Sequence, residues 1–260
     1  MSGLESTITD FLKLTFLSMV PFVLASQGTM LGGRTGVFNV AQEGIMLVGA
    51  AVGFLVSYVT GSNLIGALVA MLVGGLFGLI LAYFTTTLKM DQFVVGLALF
   101  FIGTGLSSLL PKLVIGVTLT PPLVPTLPDI AIPLLSKIPI IGPVLFKQNI
   151  LVYFSILLSV ALWYALYRTN MGLRLRSVGE NPKAADALGI NVTSNRYLSS
   201  IIGGMLIGLA GAYLPMVYTG TFTDLMTKGR GWIAIALTFF GAWSPLPILF
   251  GSLFFAAVEV

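Results

Sequence analysis

The sequence contains few charged residues and neither cysteine nor histidine. Its 13 basic and nine acidic residues make up 8% of 260, whereas soluble domains carry roughly 25%. So few charges cannot cover a water-facing surface, and a hydrophobic content of 57% indicates a chain dissolved in lipid. Without cysteine there is no disulfide or thiolate site, and without histidine the commonest acid–base group and metal ligand is missing. The sequence therefore predicts neither a catalytic nor a metal site.

Long apolar runs predict an all-α polytopic membrane protein with about eight transmembrane helices in one domain, residues 1–260. A spanning helix needs about 20 apolar residues, so little of the chain remains for an aqueous domain. The predicted spans are 11–32, 37–60, 63–88, 92–110, 150–167, 197–218, 232–243 and 245–260. The segment 111–149 holds eight of the 13 prolines, which prevent regular helix. It is predicted to be a structured external loop or a partly re-entrant segment.

The segment 168–196 is the clearly polar part of the chain and contains five of the 13 basic residues. Basic residues in short loops face the cytoplasm, so this segment is predicted to lie inside a prokaryotic cytoplasmic membrane. Counting spans backwards places Arg34 and Lys89 inside, and the N-terminus and the proline-rich segment outside. The net charge of +4 fits this asymmetry better than a nucleic-acid surface, and no nucleic-acid partner is predicted.

A short motif occurs twice. Thr-Gly-Val-Phe at 35–38 precedes Glu-Gly at 43–44, and Thr-Gly-Thr-Phe at 219–222 precedes Arg-Gly at 230–231. The copies are five predicted spans apart, and an odd offset gives them opposite topologies. Inverted repeats are common in transporters, whose sites lie near the bilayer midplane at the repeat interface.

Polar residues near both copies are the candidates for a translocation pathway. Asn39 and Glu43 are spaced to share one face of a predicted helix. A carboxylate at membrane depth usually faces the bundle interior or a water-filled cavity. The alternative is that Glu43 pairs with Arg34 and holds a helix break in place, and that 221–230 is a solvated loop. The candidate pathway residues are Phe38, Asn39, Gln42, Glu43, Gly44, Phe222, Asp224 and Arg230.

The basic segment also contains a predicted short helix with caps at both ends. Asn181 suits the N-cap, Pro182 the first helical position and Gly189 the position after the last turn. A helix of about two turns is marginal alone in water, so something must pack on it. That surface is either its own bundle or a cytoplasmic partner. The candidate docking residues are Glu180, Asn181, Pro182, Lys183, Ala184, Ala185, Asp186, Leu188 and Gly189.

Several of these segments resemble permease subunits of ABC importers for simple sugars and nucleosides. Residues 35–47 resemble that family's "G-x-x-N-x-x-x-E-G" segment, and 178–192 are similar to its cytoplasmic coupling loop. Residues 229–234 resemble its "G-R-G-[FW]-I-A" motif, while 89–98 and 241–245 also fit. The resemblance covers about residues 20–255. It implies a permease fold with inverted repeats, in which the first half spans about 11–167 and the second 197–260.

The resemblance also implies the partners. A second permease subunit, identical or paralogous, would complete the pathway, and an extracytoplasmic binding protein or lipoprotein would deliver substrate. Two cytoplasmic ATPase subunits would dock on the coupling loops and bind ATP and magnesium, because this chain has no phosphate loop and binds no cofactor itself. Branched-chain amino acid permeases share the architecture but typically carry His-Gly where this chain has Glu43-Gly44. The resemblance thus favours a nucleoside or simple sugar.

Two other functions are compatible with the sequence. A branched-chain amino acid permease is one alternative, and a proton-coupled secondary transporter using Glu43 or Asp91 is another. An intramembrane enzyme is disfavoured, because no Gly-x-Ser-x-Gly or paired-carboxylate motif lies on the spans. The second half holds three predicted spans against five in the first. The sequence therefore predicts a C-terminally truncated or shortened family member.

Overall fold

The computed structural model describes residues 3–116, 122–131, 133 and 141–260. The first helices are α1 (Gly3–Gly33), α2 (Gln42–Thr60), α3 (Asn63–Ala82), α4 (Gln92–Val114) and α5 (Ile141–Leu145). They are followed by α6 (Ile150–Arg168), α7 (Asn170–Glu180), α8 (Pro182–Ala187), α9 (Val192–Tyr213), α10 (Arg230–Phe240) and α11 (Pro245–Glu259). Two π-helical turns, Tyr83–Thr87 and Leu214–Thr219, extend α3 and α9. Two short strands, β1 (Asp129–Ala131) and β2 (Lys147–Asn149), pair antiparallel.

The predicted all-α polytopic membrane fold is confirmed. In the described residues, six helices are long and apolar enough to cross a membrane, and they match the first six predicted spans. The helices α10 and α11 have 11 and 15 residues. They are therefore roughly 17 and 23 Å long, shorter than the roughly 30 Å of a bilayer core. The predicted count of eight spans is not confirmed.

Hydrogen bonds between distant segments define the two ends of the bundle. At the end that we call the basic-loop end, Arg34 Nη2 donates to Tyr167 Oη at 2.8 Å and Arg196 Nε to the carbonyl of Thr35 at 3.0 Å. At the opposite end, the proline-loop end, Asn63 Nδ2 donates to the carbonyl of Pro125 at 2.7 Å. The residues predicted to be cytoplasmic and those predicted to be external are thus separated.

The described part of the proline-rich segment is a structured loop across its end of the bundle. The backbone N–H of Val124 donates to the carbonyl of Gly220, and that of Leu127 to the carbonyl of Met216. The strand pairing aligns Asp129 with Asn149. The predicted loop positions 117–121 and 134–140, which include Pro121 and Pro139, lie outside the described residues.

The core forms where α1, α2 and α3 pack on α9. Small residues allow these helices to approach closely, as is common between membrane helices. A Cβ atom on Gly49 would lie 2.8 Å from the Cα atom of Gly208. Only glycine therefore fits where α2 crosses α9, and this contact fixes the position at which α2 rises through the bundle.

Candidate functional site

The helix is interrupted between α1 and α2, in a segment that contains glycines at 32, 33 and 36. After Gly33 a turn contains Gly36 with a φ of +85°, and residues 37–41 are not helical before α2 begins at Gln42. The prediction that Asn39 and Glu43 share a helical face is therefore wrong. Instead, Asn39 Oδ1 accepts a hydrogen bond from the backbone N–H of Ala41 at 2.9 Å. Short amide side chains often bond to nearby backbone in this way, in competition with helix.

The carboxylate of Glu43 joins the start of α2 to the start of α10. Its Oε1 accepts a hydrogen bond from the hydroxyl of Thr227 at 2.6 Å and from the backbone N–H of Gly229 at 2.9 Å. Its Oε2 accepts one from the backbone N–H of Gly231 at 2.6 Å. Glu43 is only 6% exposed, and it accepts these three hydrogen bonds in a buried position.

These contacts explain how a buried carboxylate is stabilised here. Gly229 is the N-cap of α10 and Gly231 lies in its first turn, where backbone N–H groups have no partner within the helix. Glu43 also lies in the first turn of its own helix, and helix N-termini favour negative charge. The alternative pairing of Glu43 with Arg34 is wrong. Arg34 donates instead to the carbonyl of Trp243 at 2.7 Å and to Tyr167.

The position of Gly44 on α4 places this junction near the middle of the bundle. A Cβ atom on Gly44 would lie 2.7 Å from the Cα atom of Phe100, and one on Gly103 2.9 Å from the Cα atom of Gly44. Phe100 and Gly103 follow the start of α4 at Gln92 by roughly 12–17 Å of helix. Because Gln92 bonds to Gly36 at the basic-loop end, Glu43 lies about half-way across a core of about 30 Å.

The helices that start at this junction run in opposite directions. From Glu43, α2 passes along α9 towards the proline-loop end, where Asn63 begins α3. From Gly229, α10 runs to the basic-loop end, where the carbonyl of Trp243 accepts from Arg34. Each copy of the Thr-Gly-x-Phe motif thus precedes a helix that begins inside the bundle. This geometry is that of an inverted pair of broken helices.

The other predicted pathway residues near the break fill the core around the junction. Gln42 is fully buried, and its Oε1 accepts a hydrogen bond from the hydroxyl of Thr29. Phe38 is half-buried and packs edge-on against Phe239 and Trp243, with ring centroids 5.6 and 6.1 Å apart. These residues position the junction.

The predicted pathway residues of the second copy lie elsewhere. Phe222 and Asp224 line a cavity of about 180 Å³ at the proline-loop end, where Asp224 forms an ion pair with Lys112 at 3.5 Å. The guanidinium of Arg230 pairs with Glu259 at the end of α11. The eight candidates therefore do not form one pocket: they form a buried junction, an open cavity and a separate ion pair.

The predicted capped helix is α8, and both caps are confirmed. Asn181 Oδ1 accepts a hydrogen bond from the backbone N–H of Ala184 at 3.1 Å. At the other end Gly189 has a φ of +79°, and the N–H groups of Gly189 and Ile190 donate to the carbonyls of Asp186 and Ala185. This pair of bonds is a Schellman motif. The short helix is therefore held by local hydrogen bonds at each end.

The exposed face of α8 is available for contact with another molecule. Most candidate docking side chains there are exposed, including Lys183 and Asp186, and Leu188 is 81% exposed. Ala185 is different: it is 2% exposed, so it packs on this chain and not on a docked partner.

Comparison with known proteins identifies the family. Residues 11–260 match the family described as the permease component of branched-chain amino acid transport systems. The chain belongs to this family. The predictions of an ABC importer permease and of a transporter subunit, not an enzyme, are confirmed by this match and by the relatives.

Three relatives of this permease show similarity over most of its length. A putative glucose ABC transporter permease protein of Haloferax volcanii is 34% identical over 98% of this chain and 77% of its own length. A guanosine ABC transporter permease protein of Bacillus subtilis is 35% identical over 94% of this chain and 79% of its own length. A nucleoside ABC transporter permease protein of Lactococcus lactis is 35% identical, with shares of 90% and 76%. No solved structure matches.

Sequence reasoning missed several residues at these sites of the permease. The partners of Glu43 are mainly backbone N–H groups more than 180 residues away, and backbone groups leave no residue type to find. The glycines at 229 and 231 were the available signal, because a Cβ on Gly231 would lie 2.6 Å from the Cα of Glu43. Phe54 and Lys112 line the cavity with Phe222, but nothing in the apolar sequence around them marks them as site residues.

Proposed function

We propose that this permease forms half of the membrane pathway of an ATP-driven importer and that the imported molecule is a nucleoside or a simple sugar. The observation that carries the proposal is the junction of two oppositely directed helices at Glu43, half-way across the bundle. In transporters with inverted repeats, such broken helices lie where substrate crosses. The substrate class is supported by the relatives, whose names specify glucose, guanosine and nucleoside.

The partners follow from the family. A second permease subunit, identical or paralogous, would complete the pathway, and an extracytoplasmic binding protein or lipoprotein would deliver the substrate. A separate ATPase subunit would hold ATP and magnesium and dock on the exposed face of α8 in the cytoplasm. Lys183 and Asp186 would set the register of that contact, and Leu188 would supply its apolar anchor.

The contacts beside α8 supply a route for coupling. On one side, a Cβ atom on Gly179 of α7 would lie 2.9 Å from the carbonyl carbon of Arg34. On the other side, Arg196 of α9 donates to the carbonyl of Thr35. The turn at 34–36 is therefore held between the helices on either side of α8. Displacement of α8 by ATPase closure would shift this turn, and the short segment 37–41 would carry the shift to Glu43 and α10.

Reconstitution tests the proposal. The permease with its second permease subunit, the ATPase and the binding protein would be placed in liposomes, and uptake of tritiated guanosine and of labelled glucose would be measured with and without ATP. ATP-dependent uptake of either compound is expected. Uptake of leucine in place of both would instead assign the branched-chain amino acid function. Uptake by the permease alone, driven by a proton gradient without the ATPase, would contradict the proposal.

A further inference from the structure

The cavity at the proline-loop end lies outside the junction at Glu43 and has a distinct chemical character. It measures about 180 Å³ and opens between α2, α4 and the segment 221–229 that leads to α10. Phe54, Pro111, Ile115, Pro122 and Phe222 form its apolar walls, whereas Ser108, Lys112 and Asp224 supply its polar groups. It therefore has apolar walls and one edge that can form hydrogen bonds.

An aromatic series forms one wall of this cavity. The ring of Phe222 lies 6.2 Å from that of Phe54 at an interplanar angle of 32°, and Phe54 stacks on Tyr58 at 6.3 Å and 17°. Phe54 is only 1% exposed, so packing fixes its ring. Phe222 is half-buried and keeps part of its surface open to the cavity. The wall thus offers a supported aromatic face on which a planar ring can stack.

At the polar edge of the cavity, Lys112 and Asp224 form an ion pair, and each can bind a ligand in place of the other. Lys112 Nζ and an oxygen of Asp224 are 3.5 Å apart, and their side chains are 58% and 50% exposed. Exposed pairs of this kind contribute little to stability, so little is lost when a ligand separates them. The carboxylate accepts hydrogen bonds and the ammonium donates them. Together they match a ligand edge that carries both donors and acceptors.

From this geometry we infer that the cavity is the outer subsite of the pathway and binds the base of a nucleoside. The inference rests on the proposed function and narrows it. Guanine has two flat apolar faces and an edge with N–H donors and a carbonyl acceptor, which fits an aromatic wall beside Asp224 and Lys112. A sugar alone presents hydroxyls around its whole rim, whereas most of the described residues that line this cavity are apolar.

The size of the cavity also fits the base of a nucleoside without its ribose. Complete small-molecule pockets measure about 300–1,000 Å³, so 180 Å³ accommodates one part of a nucleoside. The ribose would project from the opening. Phe222 then determines specificity by stacking, and Asp224 by accepting hydrogen bonds from the base.

Photolabelling with 8-azidoguanosine tests the inference on the assembled transporter. The permease–ATPase complex would be irradiated with the probe and the labelled peptides mapped by mass spectrometry. The variant Phe222→Leu keeps an apolar side chain but removes the ring. Phe250→Leu is the matched control, because Phe250 is exposed on α11 away from the cavity. Asp224→Asn has its own control in Asp129→Asn, which loses a partner of Lys13 at the same end.

We expect label on the peptides that contain Phe54 or Phe222, competed by guanosine but not by ribose or glucose. Labelling should fall on the order of tenfold in Phe222→Leu, in line with the loss of base stacking, and stay unchanged in Phe250→Leu. Copurification of the ATPase shows that each variant is folded. Equal labelling of the two leucine variants, or competition by ribose, would overturn the inference. If the liposomes import glucose but not guanosine, the importer proposal stands and this inference fails.

Discussion

The carboxylate of Glu43 accepts a hydrogen bond from the backbone N–H of Gly231, 188 residues later in the chain, at 2.6 Å. This bond joins the two copies of the Thr-Gly-x-Phe motif at the point where each gives way to a helix. Since α2 and α10 leave the junction in opposite directions, a change at one end of the bundle can reach the other through this carboxylate. Four substitutions and one cross-link examine the arrangement.

Replacing Glu43 by glutamine should destabilise the permease. The amide keeps the shape but loses the charge, and its NH2 group would face backbone donors of α10. Hydrogen bonds to charged groups contribute about 1.5–3 kcal/mol, which corresponds to a fall of about 3–12 °C in the unfolding midpoint for a chain of this size. Thermal unfolding of the purified protein measures this shift of the midpoint. Glu180→Gln, at an exposed position, should leave the midpoint unchanged, and equal midpoints for both variants would contradict the role of Glu43.

Adding one methyl group to Gly103 should disturb the packing of α4 on α2. A Cβ atom there would lie 2.6 Å from the carbonyl oxygen of Gly44, next to the junction. Overpacking of this kind costs about 1–3 kcal/mol. Gly105→Ala is a control on the same helix, because a Cβ there meets no atom of the described residues within 4 Å. Folded yield and thermal midpoint should fall only for Gly103→Ala. A comparable fall in both would show that the contact with Gly44 is not responsible, because alanine by itself favours helix over glycine.

The six long helices were predictable from sequence because each requires only a long apolar run. The caps of α8 were also predictable, since Asn181 and Gly189 are residue types that favour those positions locally. The helical pairing of Asn39 with Glu43 failed for a physical reason. The spacing of four residues places two side chains on one face only if the segment is helical. In the structure, Asn39 accepts a hydrogen bond from the backbone of Ala41, and the helix begins only at Gln42.

Long-range contacts account for the other differences. Opposite charge and proximity in sequence favour Arg34 as the partner of Glu43. In the structure, Glu43 accepts hydrogen bonds from backbone N–H groups at the start of α10, and Arg34 donates to Trp243 and Tyr167. The helix α7 was not predicted, because its buried Leu175 and Val178 are too few to stand out in a polar stretch.

Removing the N-cap of α8 should weaken binding of the ATPase. Asn181→Ala deletes a capping bond that typically contributes about 1 kcal/mol, and a six-residue helix has few others. Asn191→Ala removes an equivalent cap from α9, where Asn191 Oδ1 accepts from Ser194 at 2.8 Å. Because α9 is long and packed in the bundle, it should remain folded, and the Asn191→Ala variant should still bind the ATPase. Titration of the ATPase against each purified variant compares the affinities, and equal weakening in both would argue against docking on α8.

Replacing Arg196 by alanine should uncouple ATP hydrolysis from uptake. Its guanidinium joins α9 to the carbonyl of Thr35, and its loss frees the turn at 34–36 from one of the helices beside α8. The ATPase should still bind and hydrolyse ATP, while uptake per ATP falls several-fold. Arg168→Ala is the control, because that side chain is exposed and lies over the ring of Trp163. Unchanged uptake per ATP in Arg196→Ala would exclude this route.

The most direct test of the account is a cross-link from α8 to the ATPase. The chain has no cysteine, so Leu188→Cys introduces a single thiol at an exposed position directly after α8. A short thiol–amine cross-linker should join this variant to the ATPase subunit in membranes. The same change at Leu113, 70% exposed at the proline-loop end, should give no such product. Cross-linking of the ATPase from position 113 and not from position 188 would contradict both the docking site and the orientation of the permease.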